Sequence, residues 1–137
     1  MIPKFRVWMK SLKWMCDVTN ISFDSKFVDI CQQGDTERYT EMSVEFDEIT
    51  LMQSTGLFER NGKEIFEGDI ISDGHTSRDI RHHQTLGFYT IDGNGVEGFF
   101  GDTASLEDFE EVSKYISENI EIIGNIYENL ELLEDKE

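Results

Sequence analysis

Asn61-Gly62 sits between two apolar pairs, Leu57-Phe58 and Ile65-Phe66, and Gly68-Asp69 then leads into a third, Ile70-Ile71. Asn-Gly tolerates the positive φ that a type I′ hairpin needs at both central positions. The spacing therefore predicts two antiparallel strands joined by a tight turn, with a third strand entered through Gly-Asp. A chain with this centre is organised by a sheet. By pattern, a Gly-Asp turn running into Ile-Ile is an edge of small SH3-like barrels, and the same phrase occurs in RNA-binding barrels and toxin ribonucleases.

The flanking sequence extends that reading. Phe5 to Trp8 and Trp14 to Val18 are apolar runs on either side of Lys-Ser-Leu-Lys, a hairpin signal. Ile21 to Phe23 and Phe27 to Ile30 flank Asp24-Ser25-Lys26 as a second hairpin. Cys31 to Met42 is polar and reads as a loop, after which Val44 to Phe46 and Ile49 to Gln53 read as strands. From Asp73 to Thr85 the periodicity fails, which predicts a long loop. Phe88 to Ile91 and Val96 to Phe100 flank the turn Asp92-Gly93-Asn94-Gly95.

One helix is expected, from Leu106 to Ile116. Ser105 is its cap, and Leu106, Phe109, Val112 and Ile116 form a single apolar stripe. Ile120, Ile122 and Ile126 then supply the inward side of a last strand. The expected fold is α+β and β-rich: an SH3-like small barrel or a strongly bent antiparallel sheet with one amphipathic helix near the C-terminus. A single domain over 1–137 is expected, with an N-terminal hairpin subdomain (about 1–50) before the barrel region (about 51–137).

Charge limits the partners. The chain of 137 residues carries a net charge of −17, and from Glu97 onward 13 acids face 2 bases. Phosphate backbones are repelled by such a chain, so unaided nucleic-acid binding is disfavoured. Ten Phe, four Tyr and two Trp distinguish it from an acidic disordered chain. The basic residues Lys4, Arg6, Lys10 and Lys13 form one island before Asp17 and read mainly as solvated strand edges. Cys16 and Cys31 are not in a C-x-x-C pair and read as buried free thiols in a reducing cytoplasm. No apolar run approaches a membrane span or a signal peptide, so no membrane partner is expected.

The candidate chemistry is thin. His75, His82 and His83, with Asp73 and Asp79, are the one cluster of metal-capable side chains, yet adjacent strand residues point to opposite faces, so His82 and His83 do not readily share an ion. Asp92 to Glu97 fails as a calcium loop, because its glycines are misplaced and Thr103 stands where a bidentate Glu belongs. No nucleophile elbow, phosphate loop or dinucleotide fingerprint is present. No cofactor, metal site or catalytic residue is assigned. What remains is an acidic surface, Glu107, Asp108, Glu110, Glu111, Glu118 and Glu121, which reads first as a solvated helix face and second as a docking surface for a basic protein.

Three blocks carry a family resemblance: Lys4 to Trp8, LMQSTGLFERNGKEIFEGDII from Leu51 to Ile71, and IEIIGNIYENLELLE from Ile120 to Glu134. They resemble the YopX family of small phage and prophage proteins. The resemblance implies a β-rich fold with an SH3-like barrel, a phage or prophage setting, possible self-association and no catalytic position to carry over. This chain departs from the family at Met9, where the family tends to have Asp, and at Leu130, where it tends to have Pro. The expected function is that of a non-enzymatic phage or prophage accessory protein in the bacterial cytoplasm, binding a host or phage protein. The alternatives are a nucleic-acid-associated barrel using Lys4, Arg6, Lys10 and Lys13, and a small nuclease or hydrolase.

Overall fold

The computed structural model describes residues 4–83, 87–92, 97–99 and 106–133. It has eleven strands and one α-helix among these residues and divides into two compact units, Met1–Gln53 and Ser54–Glu137. The fold is α+β and strand-dominated. The sheets are open and antiparallel, and among the described residues no barrel closes.

Unit 1 is a meander. Strands β1 (Phe5–Met9), β2 (Trp14–Ser22), β3 (Phe27–Gln32) and β4 (Met42–Glu45) pair in sequence, and the first half of β5 (Ile49–Phe58) returns beside β1. Val7, Met9, Cys16, Val28, Ile30, Val44 and Ile49 form its core. The period of two in β2 runs Trp14, Cys16, Val18 and would next place Asn20 inward. An extra residue between Val18 and Asn20 shifts the register, so Ile21 packs on that core instead. The β1–β2 turn closes through Lys13, whose φ of 57° is left-handed and whose N–H reaches the Met9 carbonyl at 2.8 Å.

In unit 2 the second half of β5 pairs with β6 (Glu64–Phe66). A five-stranded sheet follows, in the order β10 (Glu97–Phe99), β9 (Gly87–Asp92), β8 (Ser77–His83), β7 (Asp69–Ser72), β11 (Glu121–Asn125). Helix α1 (Leu106–Asn119) contributes Ile116 and Val112 to a core with Leu57, Ile65, Ile71, Ile80 and Ile120.

Four sequence expectations are corrected here. Asp73 to Thr85 is not one loop, because Ser77–His83 is a strand between β7 and β9. Two hydrogen-bonded ladders and the single apolar anchor Ile80 hold it, which is why its polar sequence hid it. The Asn61-Gly62 turn is not type I′, since only Gly62 has positive φ, at 84°. Gly62 N–H bonds the Glu59 carbonyl at 2.9 Å and Glu59 N–H bonds the Lys63 carbonyl at 2.8 Å, giving a three-residue loop with glycine in the left-handed position. The helix runs on to Asn119, three residues beyond Ile116. A register shift between Ile122 and Gly124 turns Ile126 away from the inward side that Ile120 and Ile122 share. The turn 93–96 and the capping position Ser105 lie outside the described residues.

Candidate functional site

The two long motif blocks meet in one hydrogen-bonded seam. Glu59 is 2 % exposed, and its carboxylate accepts the N–H groups of Asn61 (2.7 Å), Lys63 (3.1 Å) and Ile122 (3.1 Å), as well as the Asn61 amide (3.2 Å). Burial pushes its pKa up, but the N–H groups of Lys63, Ile122 and Asn61 together outweigh this and hold the carboxyl below its usual range. Arg60 adds a backbone bond to the Ile120 carbonyl at 2.8 Å and an ion pair to Glu121 at 3.0 Å. The hairpin turn is thus tied to the start of β11, some sixty residues away.

Other polar motif residues serve the backbone in the same way. Gly56, at φ 77°, and the Thr55 hydroxyl, which donates to the Ile65 carbonyl at 2.7 Å, shape the register shift between β5 and β6. Buried Asp69 accepts Phe66 N–H at 2.8 Å and so closes the turn before β7. Gly68 bonds Ile80 and Ile126 through its own backbone. A Cβ at Gly124 would lie 2.5 Å from the Asn129 side-chain oxygen, which accepts Asn125 N–H at 3.2 Å. The Asn125 side chain in turn accepts the N–H groups of Tyr127 and Glu128, both at 3.0 Å. These side chains bend and lock the chain.

Beside the seam, between α1 and the sheet, lies an open cleft of about 300 Å³. Ile71, Val112, Ile116 and Ile120 form its floor, and Arg78 and Tyr115 stand at its mouth. Tyr115 is 55 % exposed. Glu111 and Glu118 are exposed and lie four residues before and three after it, so the three share one helical stripe. No basic residue lies in the last turn of α1.

The predicted acidic surface is therefore only partly assembled. Glu110, Glu111 and Glu118 are exposed on α1, whereas Glu121 is half-buried on β11 and paired with Arg60. Glu107 and Asp108 belong to the helix, but their side chains lie outside the described residues. Of the basic island, Lys4, Lys10 and Lys13 are exposed, and Lys10 donates to the Asp47 carbonyl at 3.4 Å. Arg6 is buried, opposite Met52 in the β1–β5 ladder, and adds nothing to that surface.

The side chain of His83 lies outside the described residues, and the other members of the histidine cluster are dispersed. Asp73 accepts the N–H groups of His75 (2.8 Å) and Thr76 (2.9 Å), first Thr76 and then His75 drawing its pKa down. His82 packs on Phe88 with ring centres 4.6 Å apart and planes tilted by 49°, and Asp79 is buried against Arg81. Among the described residues no three His, Cys, Asp or Glu side chains gather as for a metal ion, and no helix is long and apolar enough to cross a membrane. Cys16 and Cys31 are buried free thiols, and burial, then Asp17 and Cys31, push the Cys16 pKa up to about 11. Sequence reading had not singled out Glu59, Tyr115 or Arg81. A glutamate two residues before Asn-Gly was the available signal for the first.

Comparison with known proteins fits this geometry. The chain is similar to a protein of known crystal structure, protein EF1440 from Enterococcus faecalis, at 29 % identity, with 98 % of this chain and 99 % of that one covered and a TM-score of 0.58. Curated proteins give no match. The family model described as YopX protein matches residues 4–134, which takes in both motif blocks and the whole seam they build: the chain belongs to the YopX family.

Proposed function

We propose that this protein is a non-enzymatic binding module that docks a protein partner at the cleft beside α1. The observation that carries the reading is an exposed tyrosine lining an apolar cleft, with Glu111 and Glu118 exposed on the tyrosine's helical stripe. Tyrosine at the rim of an apolar pocket is a typical anchor of protein interfaces. The exposed carboxylates favour a partner segment that carries basic residues, and a chain of net charge −17 steers such a partner toward it. The polar residues of the motif seam are occupied by backbone groups, which supports binding rather than catalysis as the role. A phage or prophage setting gives such a module a host protein to occupy.

A photo-crosslinking residue in place of Tyr115, used in bacterial lysate, tests this. A discrete adduct that is lost at high salt and in Glu111→Lys and Glu118→Lys is expected. No adduct, or one indifferent to both charge reversals, would overturn the reading. An adduct with a second copy of the chain would make self-association the function of the cleft.

A further inference from the structure

The opposite face of the unit 2 sheet carries a second groove, of about 330 Å³, which the cleft beside α1 does not involve. Its polar floor is built from β8 and β9. Asp79 is 2 % exposed, and its Oδ2 accepts the Arg81 Nε–H at 2.8 Å. Tyr89 lies directly across the ladder from Arg81 and also hydrogen-bonds it. Asp79, first, and Tyr89 outweigh desolvation and hold the guanidinium firmly charged. Yet 51 % of the Arg81 side chain stays exposed. Burying a carboxylate to steady a half-exposed arginine is costly unless the orientation matters. With Nε on Asp79 and Tyr89 also bonded to the guanidinium, the exposed remainder of the fork is left to meet an anion end-on.

The other wall is apolar. After the register shift at Ile122 and Gly124, Ile126 faces this side, and Leu130 and Leu133 of the short 3₁₀ turn Leu130–Leu133 continue the wall. Leu130 is 59 % exposed, more than an ordinary wall residue needs. Arginine on one side and aliphatic side chains on the other match a ligand that is anionic at one end and apolar at the other. Charge selects among anions: Asp79 and Glu67 both line the groove, so a phosphate dianion is repelled more strongly than a monoanion. The volume lies within the range of small-molecule sites.

The geometry points to a binding site for a small carboxylic acid on an apolar body, its carboxylate on Arg81 and its body on Ile126, Leu130 and Leu133. This site stands independently of the docking cleft.

The test is an NMR titration of the full ¹⁵N,¹³C-labelled chain with 4-phenylbutyrate. Shifts of the Arg81 Nε–H and of the Leu130 and Leu133 methyls are expected. 4-Phenylbutyramide is expected to bind at least roughly tenfold more weakly, as loss of a charge-assisted hydrogen bond requires. Arg81→Lys, which keeps the charge and loses the fork, is expected to weaken binding by a similar factor. Leu130→Ser alters an exposed side chain, spares the fold, and is expected to weaken 4-phenylbutyrate and leave acetate unchanged. No shift at millimolar ligand, equal affinity for the amide, or equal affinity for inorganic phosphate would overturn the assignment. Tighter binding of a leucine-terminated peptide than of 4-phenylbutyrate would overturn the small-molecule source.

Discussion

Replacing Glu59 with alanine strips four donors of their acceptor at once: the N–H groups of Asn61, Lys63 and Ile122, and the Asn61 amide. The losses are unequal. Asn61 and Lys63 are exposed, so water can replace the carboxylate there, at about 1 kcal/mol together. Ile122 N–H is half-buried on β11 and is left unsatisfied, which costs ~1–3 kcal/mol. The sum is about 2–4 kcal/mol, or roughly 10 °C in Tm for a chain of this size. Thermal melts followed by far-UV circular dichroism measure the total. Hydrogen exchange at Ile122 tests where it comes from, since that amide should lose protection first. A loss of stability under about 0.5 kcal/mol, with Ile122 still protected, would refute the claim that Glu59 holds the two blocks together.

Acid provides an internal check. The folded pKa of Glu59 lies below its unfolded value, so its contribution is fully present above the unfolded pKa and fades as pH falls through the folded one. Glu59→Gln lacks this titration at every pH. Its stability gap from the parent should stay constant above about pH 5 and narrow on acidification below about pH 4.3. A gap that widens in acid would show that the sign is wrong.

Two further outcomes follow from the packing. Gly124→Ala drives a Cβ onto Asn129 and displaces the oxygen that accepts Asn125 N–H, at a cost of about 1–2 kcal/mol; in an Asn129→Ala background the same change should cost far less, and additive costs in a denaturant double-mutant cycle would exclude that contact. Cys16, fully buried and with its pKa pushed up to about 11, should resist iodoacetamide at pH 8 in the native protein and react once the chain is unfolded, which mass spectrometry of the alkylated peptide reads directly.

Strand positions in unit 1 were legible because apolar runs there are separated by polar turns. Of the α1 stripe, Val112 and Ile116 pack on the unit 2 core as their helical spacing predicts, and the side chains of Leu106 and Phe109 lie outside the described residues. β8 was not legible, since its sequence Ser-Arg-Asp-Ile-Arg-His-His has one apolar residue and is strand only through the ladders on both sides. Periodicity cannot see a strand that its neighbours specify. Nor can it see a register shift: one irregular position at Ile122 and Gly124 reverses which face Ile126 meets, and that reversal creates the apolar wall of the second groove. The acidic surface was read as one patch from composition, whereas the fold divides it between α1 and a Glu121 already paired with Arg60. Arg6 shows the same limit in reverse: its charge counted toward a basic patch, and the strand register buries it.

The polar side chains of the blocks and those of the candidate binding surfaces therefore come from different segments, although the blocks lend both surfaces apolar side chains, Ile71 and Ile120 in the cleft and Ile126, Leu130 and Leu133 in the groove. Glu59, Asp69, Gly124, Asn125 and Asn129 spend their polar atoms on backbone groups of unit 2. Arg78, Arg81, Tyr89 and Tyr115, which face open volume, come from β8, β9 and α1, between the blocks. A motif that fixes turns and a register can hold one scaffold while the intervening elements present different side chains to solvent. That division predicts two classes of variant. Substitutions in the seam should lower Tm and lose binding only as the fold is lost. Tyr115→Ala and Arg81→Lys, which keeps a cation beside Asp79, should leave Tm within a few degrees of the parent, and each should weaken binding at its own site alone. If Glu59→Gln at neutral pH and a temperature where it remains folded bound neither partner nor carboxylate, the seam would itself be functional, and the separation argued from its hydrogen bonds would fail.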